Sequence, residues 1–150
     1  MATILENNAM NRLKRTLLAL IATAGLLAAS CDKNACKVPI GDARCDINLM
    51  NPDAYNLMHA GGSVYAYGGN KGLWIINTGL DYQVFEATCP HCLDTKVDTL
   101  AGWDGILVCD KCESKFSTYS DGYPLNGSAA ACPLYQYACT LEGNVLHIYN

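Results

Sequence analysis

Two short cysteine motifs are the residues of this sequence best suited to chemistry. Cys89-Pro-His-Cys92 and Cys109-Asp-Lys-Cys112 each hold two cysteines separated by two residues, and sixteen residues lie between the motifs. A C-x-x-C turn points both sulfurs toward one side, and two such turns can supply four ligands to a tetrahedral ion. The spacing therefore predicts a metal centre, with two disulfides as the alternative in an exported protein.

The rest of the sequence holds no recognised catalytic arrangement. Gly-x-Ser-x-Gly, His-Glu-x-x-His and phosphate-loop motifs are missing, and three histidines offer few candidates for a hydrolytic triad. A nucleic-acid partner is also disfavoured, because residues 31–150 carry seven basic and thirteen acidic side chains, which phosphate backbones would repel. We therefore expect a binding or electron-carrying protein and not an enzyme.

The elements that position these motifs are short strands separated by glycine turns. The length of 150 residues, with 51% hydrophobic and 16% charged side chains, indicates about one domain. Asn51-Pro52 and the glycines that follow predict one or two helical turns over 53–59. Alternating or wholly apolar runs predict strands at 63–67, 73–76, 82–87, 105–108, 115–119, 134–141 and 145–149. We expect an all-β fold, a small sandwich or barrel that carries the two cysteine motifs on loops.

The N-terminal segment is typical of a bacterial lipoprotein signal peptide. A basic stretch at 10–15 precedes fifteen uncharged residues at 16–30, which end directly at Cys31. Fifteen helical residues reach only about 22 Å, short of the roughly 30 Å of a bilayer core. The residues before Cys31 resemble a lipobox, which would make Cys31 the lipidated first residue of the mature chain. Met10 is an alternative start.

This pattern predicts three regions. Residues 1–30 form the cleaved signal peptide, 31–47 a lipid-anchored tether, and 48–150 the folded domain. We expect the domain in the bacterial cell envelope, in the periplasm or at the cell surface. Its partners would be a membrane, through the lipid on Cys31, and an envelope or redox protein.

The cysteine motifs and their surroundings resemble the Rieske iron–sulfur family. Cys89-x-His91 followed by Cys109-x-x-Cys112-Glu-Ser-Lys-Phe116 is similar to its two cluster loops, C-x-H and C-P-x-H-G-S-x-F/Y. Ser114 and Phe116 fall on the serine and the aromatic of the family. The likeness covers residues 48–150 and is nearest to Rieske-like lipoproteins of Bacteroidetes-type bacteria. It implies a Rieske-like β-sandwich or barrel with two cluster-binding loops.

The resemblance also implies a cofactor and its ligands. A [2Fe–2S] cluster would be held by Cys89, His91, Cys109 and Cys112, and the protein would transfer electrons. Cys112 stands where the family has its second histidine, and Glu113 stands where the family has glycine. Replacing an imidazole with a thiolate adds negative charge, so we expect a lower reduction potential than in a two-histidine centre. Cys92 would be a spare thiol.

Zinc is the alternative occupant, with Cys89, Cys92, Cys109 and Cys112 as ligands. The leader lacks the Arg-Arg pair of a twin-arginine signal, which favours export of an unfolded chain without a preassembled cluster. Such a chain could collect zinc, which prefers thiolate ligands and needs no assembly machinery, or form disulfides. The protein would then be a non-redox lipoprotein that uses the Rieske-like fold as a binding scaffold.

Four further cysteines have no assignment from the motifs. Cys36, Cys45, Cys132 and Cys139 allow three pairings, among which the sequence does not choose. The local pairings would join Cys36 to Cys45 and Cys132 to Cys139. Cys139 lies on an alternating strand, where it could instead be a small buried hydrophobic residue.

Overall fold

A computed structural model describes residues 36–102 and 104–150. In this part of the chain the fold is mostly β, as the sequence predicts. The predicted signal peptide, Cys31 and residues 32–35 of the predicted tether lie outside the described residues. The strands are β1 (Cys45–Asn48), β2 (Ser63–Ala66), β3 (Leu73–Asn77), β4 (Tyr82–Glu86), β5 (Asp98–Thr99), β6 (Ile106–Val108), β7 (Lys115–Ser117), β8 (Tyr123–Pro124), β9 (Gln136–Glu142) and β10 (Val145–Tyr149).

The strands form two antiparallel sheets. The large sheet has the order β1-β10-β9-β4-β3-β2 and curls into a half-barrel. The small sheet has the order β5-β6-β7-β8. Consecutive strands pair in β2-β3-β4 and in β5-β6-β7-β8, whereas β9 pairs with β4 far back in the sequence. That long-range pairing joins the C-terminal hairpin to the meander that leads into the first cysteine motif.

One predicted helix is present as a 3₁₀ helix over Pro52–Met58. Asn51 precedes it in an extended conformation, and Pro52 occupies its first turn, where a missing N–H costs nothing. Ala54 and Leu57 are buried and hold the helix against the inside of the half-barrel. A second 3₁₀ helix, Thr118–Ser120, takes the place of the end of the strand predicted over 115–119.

Strand β3, which is apolar over residues 73–76, separates two hydrophobic cores. Trp74 and Ile76 face one core, whereas Leu73 and Ile75 face the other. Successive strand residues point to opposite faces, so a strand buried on both sides has no polar alternation. The first core, here called the cysteine-side core, also contains Phe85, Ala87, Cys89, Val97, Leu107, Cys109, Phe116, Ala130 and Leu134. The second, the half-barrel core, also contains Ala43, Ala54, Leu57, Val84, Tyr137, Leu146 and Ile148.

The folded region begins before residue 48. Strand β1 starts at Cys45 and pairs with β10, so that Cys45 lies opposite Ile148. Upstream of it, the Ala43 N–H donates to Asn150 Oδ1 at 2.8 Å. A segment predicted as tether thus supplies an edge strand of the large sheet.

One disulfide joins this N-terminal segment to the loop between β8 and β9. Cys36 is bonded to Cys132, with a Cα–Cα distance of 5.6 Å. Neither local pairing forms, and Cys45 and Cys139 are free. Cys45 and Cys139 both lie opposite Ile148, on its two sides. Strand β10 lies between them, so the two cysteines are two strand spacings of about 4.8 Å apart. That distance is beyond the reach of a disulfide.

Within the described ranges, no helix is both long enough and apolar enough to cross a membrane.

Candidate metal centre

Two loops carry the cysteine motifs, and strand pairing sets the position of each. The first cysteine loop, residues 89–95, follows β4 and is closed by a single bridge between Thr88 and Lys96. The second cysteine loop, residues 109–114, connects β6 to β7, whose pairing places Val108 opposite Lys115. Each loop is therefore a tight turn between two antiparallel segments.

The two loops share one backbone geometry. The Cys89 carbonyl accepts a hydrogen bond from the Leu93 N–H at 2.8 Å, and the Cys109 carbonyl accepts one from the Glu113 N–H at 2.8 Å. Leu93 and Glu113 have φ angles of 60° and 56°, in the left-handed region that favours glycine. Two unrelated tetrapeptides thus fold into the same turn.

Further backbone contacts fix the first cysteine of each motif. The Cys89 N–H donates to the Thr95 carbonyl at 2.8 Å, and the Cys109 N–H donates to the Ser114 carbonyl at 3.0 Å. In the first loop, the N–H groups of His91 and Cys92 also point to Cys89 Sγ. These contacts orient the sulfurs before any ligand is bound.

The four motif sulfurs converge on one point. Among the described residues, Cys89, Cys92, Cys109 and Cys112 form a group whose Sγ atoms all lie within 4.8 Å of one another. The Cys89–Cys112 and Cys92–Cys109 sulfur distances are 3.7 Å and 3.9 Å. A tetrahedral ion with metal–sulfur bonds of about 2.3 Å requires sulfur–sulfur distances of about 3.8 Å. The cluster can therefore hold a metal.

The centre lies at the boundary between the core and the surface. Cys89 and Cys109 are fully buried members of the cysteine-side core, whereas Cys92 and Cys112 are half-buried and pack against it. The first cysteine of each motif thus anchors its loop to the core, and the second faces the solvent side. Such a site excludes bulk water from two ligands and leaves a route for metal entry beside the other two.

Burial keeps the first-loop thiols protonated. Removal from water raises the pKa of the Cys89 thiol to about 12, although two N–H groups of its own loop oppose the shift. Burial and contact with the thiols of Cys112 and Cys109 raise the pKa of Cys92 to about 11. A bound cation would be needed to make these sulfurs thiolates at neutral pH.

Cys112 behaves in the opposite way. Burial opposes ionisation, yet hydrogen bonds from the Ser114 hydroxyl and N–H, joined by the thiols of Cys92 and Cys109, lower the pKa of Cys112 to about 6. Ser114 is fully buried, and its Oγ lies 3.2 Å from Cys112 Sγ. The same oxygen accepts the Ala130 N–H at 2.9 Å, which fixes its orientation. Cys112 is therefore the cluster cysteine that is a thiolate near neutral pH even without a metal.

An ion pair links the two loops at the surface. Lys111 Nζ lies 2.6 Å from Asp94 Oδ2, and both side chains are exposed. The hydrogen bond from Lys111 lowers the pKa of Asp94, and the Lys111 ammonium also interacts with the sulfurs of Cys92 and Cys109. An exposed pair contributes little to stability. It places one positive charge beside sulfurs that become negative when a metal binds.

The structure brings together three of the four ligands that the Rieske resemblance implies, and leaves the fourth, His91, outside the cluster. Cys89, Cys109 and Cys112 lie in the cluster with Cys92, and these four cysteines are the alternative zinc set. His91 is exposed, with Nδ1 3.8 Å from Cys92 Sγ. It thus stands next to the cluster, beside Cys92 and on the solvent side.

The positions that resemble the Rieske family have structural roles here. Ser114 contacts a cluster sulfur, and Phe116 is fully buried in the cysteine-side core. Glu113, which replaces the glycine of the family, keeps the left-handed backbone that glycine would adopt most easily. These features and the mostly β fold are compatible with a Rieske-like domain.

One buried group near the centre has no counterpart in the sequence interpretation. Glu86 is fully buried at the end of β4, three residues before Cys89. Its carboxylate accepts the N–H groups of Asn70 and Lys71 at 2.7 and 2.9 Å, and the Tyr137 hydroxyl at 2.8 Å. Thr88 donates both its N–H and its hydroxyl, at 2.9 and 2.7 Å. A lone glutamate between apolar strand residues gives no signal of such a network.

This network keeps the Glu86 carboxylate charged. Burial would raise its pKa, but the hydrogen bonds from Asn70, Lys71 and Thr88 outweigh burial and hold the pKa below the ordinary value. Gly69 makes the close approach possible: it has φ of 60°, and a Cβ there would collide with Glu86 Oε2. The network ties the 68–72 turn to the strand that leads into the first cysteine loop.

No protein-family model matches this sequence, and no curated protein is significantly similar to it.

Proposed function

We propose that this protein is a metal-binding lipoprotein in which a single zinc ion joins the two cysteine loops. The convergence of the four motif sulfurs carries the proposal, since all lie within 4.8 Å of one another. The Cys89–Cys112 and Cys92–Cys109 sulfur distances match the edge of one tetrahedron around zinc. A two-iron cluster shares its ligands between two tetrahedra and therefore needs a wider arrangement.

The donor set supports zinc and a structural role. Four thiolates around a tetrahedral ion leave no open position for water or substrate, which is the pattern of structural zinc sites. When bound, zinc supplies the positive charge that the buried thiolates require. Cys89 and Cys109 then anchor the ion to the cysteine-side core, and Cys92 and Cys112 close it toward solvent.

The predicted leader supports a location in the bacterial cell envelope. A basic stretch, an uncharged segment and Cys31 would yield a lipid-anchored domain in the periplasm or at the cell surface. The Cys36–Cys132 disulfide fits an oxidising compartment. In this proposal the domain is a scaffold that binds another envelope protein, held near the membrane by its lipid.

A second candidate is electron transfer through a [2Fe–2S] cluster held by Cys89, His91, Cys109 and Cys112. The resemblance to Rieske loops supports it, together with the contact of Ser114 Oγ with Cys112 Sγ at 3.2 Å. The cluster would supply a one-electron redox couple. His91, which is exposed, would be the group nearest to a redox partner.

A matched pair of variants in the first loop separates the two candidates. Cys92→Ser removes a ligand of the zinc set and leaves the Rieske-type set complete, whereas His91→Ala does the reverse. Metal content is measured on each full-length variant as isolated. We expect Cys92→Ser to lose its metal and His91→Ala to retain it. Loss in His91→Ala with retention in Cys92→Ser would overturn the zinc proposal and support the cluster.

Cys139→Ser is the control for the loss of a cysteine outside the centre. Cys139 is free, and its thiol donates to the Tyr82 carbonyl at 3.2 Å, in the half-barrel region. This variant should bind as much metal as the wild type. Circular dichroism checks that all three variants keep their β-structure.

A further inference from the structure

Two close contacts between the cluster sulfurs join the two loops. Cys89 Sγ lies 3.7 Å from Cys112 Sγ, and Cys92 Sγ lies 3.9 Å from Cys109 Sγ. The thiols of Cys89 and Cys92 each interact with both thiols of the second loop. The sulfurs of one loop therefore point across the gap to the sulfurs of the other.

We propose that the metal-free centre is a site of reversible oxidation that forms two disulfides between the loops, Cys89–Cys112 and Cys92–Cys109. The inference rests on the proposed function only in that the same sulfurs bind the metal. The two pairs must approach by roughly 1.7 and 1.9 Å to reach the disulfide bond length of about 2.0 Å. Each pair contains one half-buried cysteine on the solvent side, Cys112 or Cys92, and this partner makes the approach.

The disulfide between Cys36 and Cys132 is an independent observation in favour of this chemistry. It shows a chain that forms a disulfide bond elsewhere in the same domain. Compartments in which such bonds form also contain oxidants for exposed dithiols. Cys92 and Cys112 are half-buried and within reach of a small oxidant, whereas Cys89 and Cys109 are not.

The oxidant is a small-molecule disulfide such as oxidised glutathione. The thiolate of one cysteine attacks a sulfur of the small disulfide, breaks its S–S bond and releases one small thiol. The partner cysteine then attacks the mixed disulfide, forms the protein disulfide and releases the second small thiol. The two protein thiols lose two electrons and two protons, and the small disulfide takes them up when it becomes two thiols. Each protein disulfide consumes one small disulfide.

The oxidised and metal-bound states exclude each other because they use the same four sulfur atoms. Both states nevertheless join the first loop to the second, in one case through the metal and in the other through sulfur. Oxidation should therefore release metal while the β-fold is preserved. The fraction of protein in the oxidised state would then depend on the ratio of thiol to disulfide in its surroundings.

Trypsin distinguishes the proposed bridges from bridges inside each motif. Lys96 and Lys111 place Cys109 and Cys112 on separate peptides, 97–111 and 112–115, while Cys89 and Cys92 stay together on 72–96. The full-length protein is freed of metal with a chelator, treated with oxidised glutathione, alkylated and digested. Mass spectrometry should find both second-loop peptides bonded to 72–96. A bond between 97–111 and 112–115, or four thiols that remain free, would overturn the proposal.

Two double variants identify the partner within each bridge. Cys92→Ser with Cys109→Ser leaves Cys89 and Cys112, the pair at 3.7 Å. Cys92→Ser with Cys112→Ser leaves Cys89 and Cys109 and is the matched control. The first variant should close its disulfide several-fold faster, measured as loss of alkylatable thiol with time. Equal rates, or faster closure in the control, would contradict the proposed pairing.

Metal analysis before chelation keeps this proposal separate from the proposed function. A wild-type protein isolated without metal contradicts the zinc proposal, but its disulfide map still tests the inferred bridges. A protein isolated with metal that gives only bridges inside each motif supports the metal centre and overturns the oxidation proposal.

Discussion

Two buried acidic groups three residues apart, the Glu86 carboxyl and the Cys89 thiol, differ in how many hydrogen-bond donors surround them. The Glu86 carboxylate accepts five hydrogen bonds from the chain, three of them from backbone N–H groups. The cysteine cluster has fewer donors for four sulfurs: two N–H groups at Cys89 and the Ser114 hydroxyl and N–H at Cys112. The chain thus completes the Glu86 site with its own groups, whereas the cysteine cluster has a deficit of donors that a bound cation would make up.

The difference follows from when each group carries charge. Hydrogen bonds hold the pKa of Glu86 below its ordinary value, so its charge is permanent near neutral pH and must be compensated in the folded chain. Burial raises the pKa values of Cys89 and Cys92, so their charge appears only when a metal displaces the protons. Each site can be disturbed separately.

Removal of the metal should have the largest effect. Excess chelator would remove the cation proposed to join the loops, and we expect the free energy of unfolding to fall by about 5 kcal/mol or more. Denaturant titration with and without chelator measures the change. Cys92→Ser, which lacks a ligand, is the control and should not respond to chelator. An unchanged wild-type midpoint would show that the cluster does not depend on a metal.

Glu86→Gln should have the next largest effect. The glutamine amide turns two donors toward groups that themselves donate, so we expect a loss of about 3 kcal/mol of unfolding free energy, measured by denaturant titration. Metal content should stay at the wild-type value, because the carboxylate is satisfied without the metal. Loss of metal in this variant would show that the two sites are not independent.

The same variant tests how the Glu86 carboxylate makes stability depend on pH. The folded-state pKa of Glu86 is depressed, so its contribution is present above the ordinary value of 4.5 and is lost as the pH falls toward the lower folded value. The chelated wild type should therefore lose stability below pH 4.5 more steeply than chelated Glu86→Gln. Parallel pH profiles would contradict the assignment.

Ser114→Ala should have a smaller effect, confined to the cysteine centre. Without the hydroxyl, the pKa of Cys112 should rise from about 6 toward its ordinary value. Thiolate absorbance of the metal-free protein measures that rise. Competition with a chelator should show metal affinity weakened by about tenfold. An unchanged pKa would mean that the backbone N–H alone stabilises the thiolate.

Glu113→Gly should have the smallest effect, and a stabilising one. Glu113 has φ of 56°, which costs a residue with a side chain about 1 kcal/mol relative to glycine. Glu113→Ala removes the same carboxylate but keeps the backbone strain, so it is the matched control. Glycine should exceed alanine by about 1 kcal/mol in unfolding free energy. Equal stability would mean that the turn is not strained.

Periodicity predicted the longer strands and missed the two-residue strands and β1, although β1 packs against the half-barrel core. The apolar run of β3 reflects burial on both faces, and β4, predicted from its alternation, is also buried on both faces, with Val84 in one core and Phe85 in the other. The two-residue strands β5 and β8 are too short to show any period, and β1 was included in the predicted tether. The strand predicted from Leu134 begins at Gln136, because the Leu134 N–H donates to the Gly122 carbonyl instead.

Spacing predicted the candidate metal centre but not which neighbour completes it. Four cysteines in two C-x-x-C motifs indicate convergence, whereas the choice between His91 and Cys92 depends on which side chain turns inward. The Cys36–Cys132 bond likewise depends on the fold, because it joins residues 96 positions apart. The Glu86 network lies beyond sequence reasoning, since three of its five donors come from a distant turn and strand.

Metal and acid-labile sulfide content of the protein isolated from its native source tests the central claim most directly. A mononuclear four-cysteine centre predicts about one zinc per chain, no acid-labile sulfide and no visible absorbance. About two irons and two sulfides per chain, with absorbance between roughly 400 and 600 nm, would contradict it and identify an electron carrier.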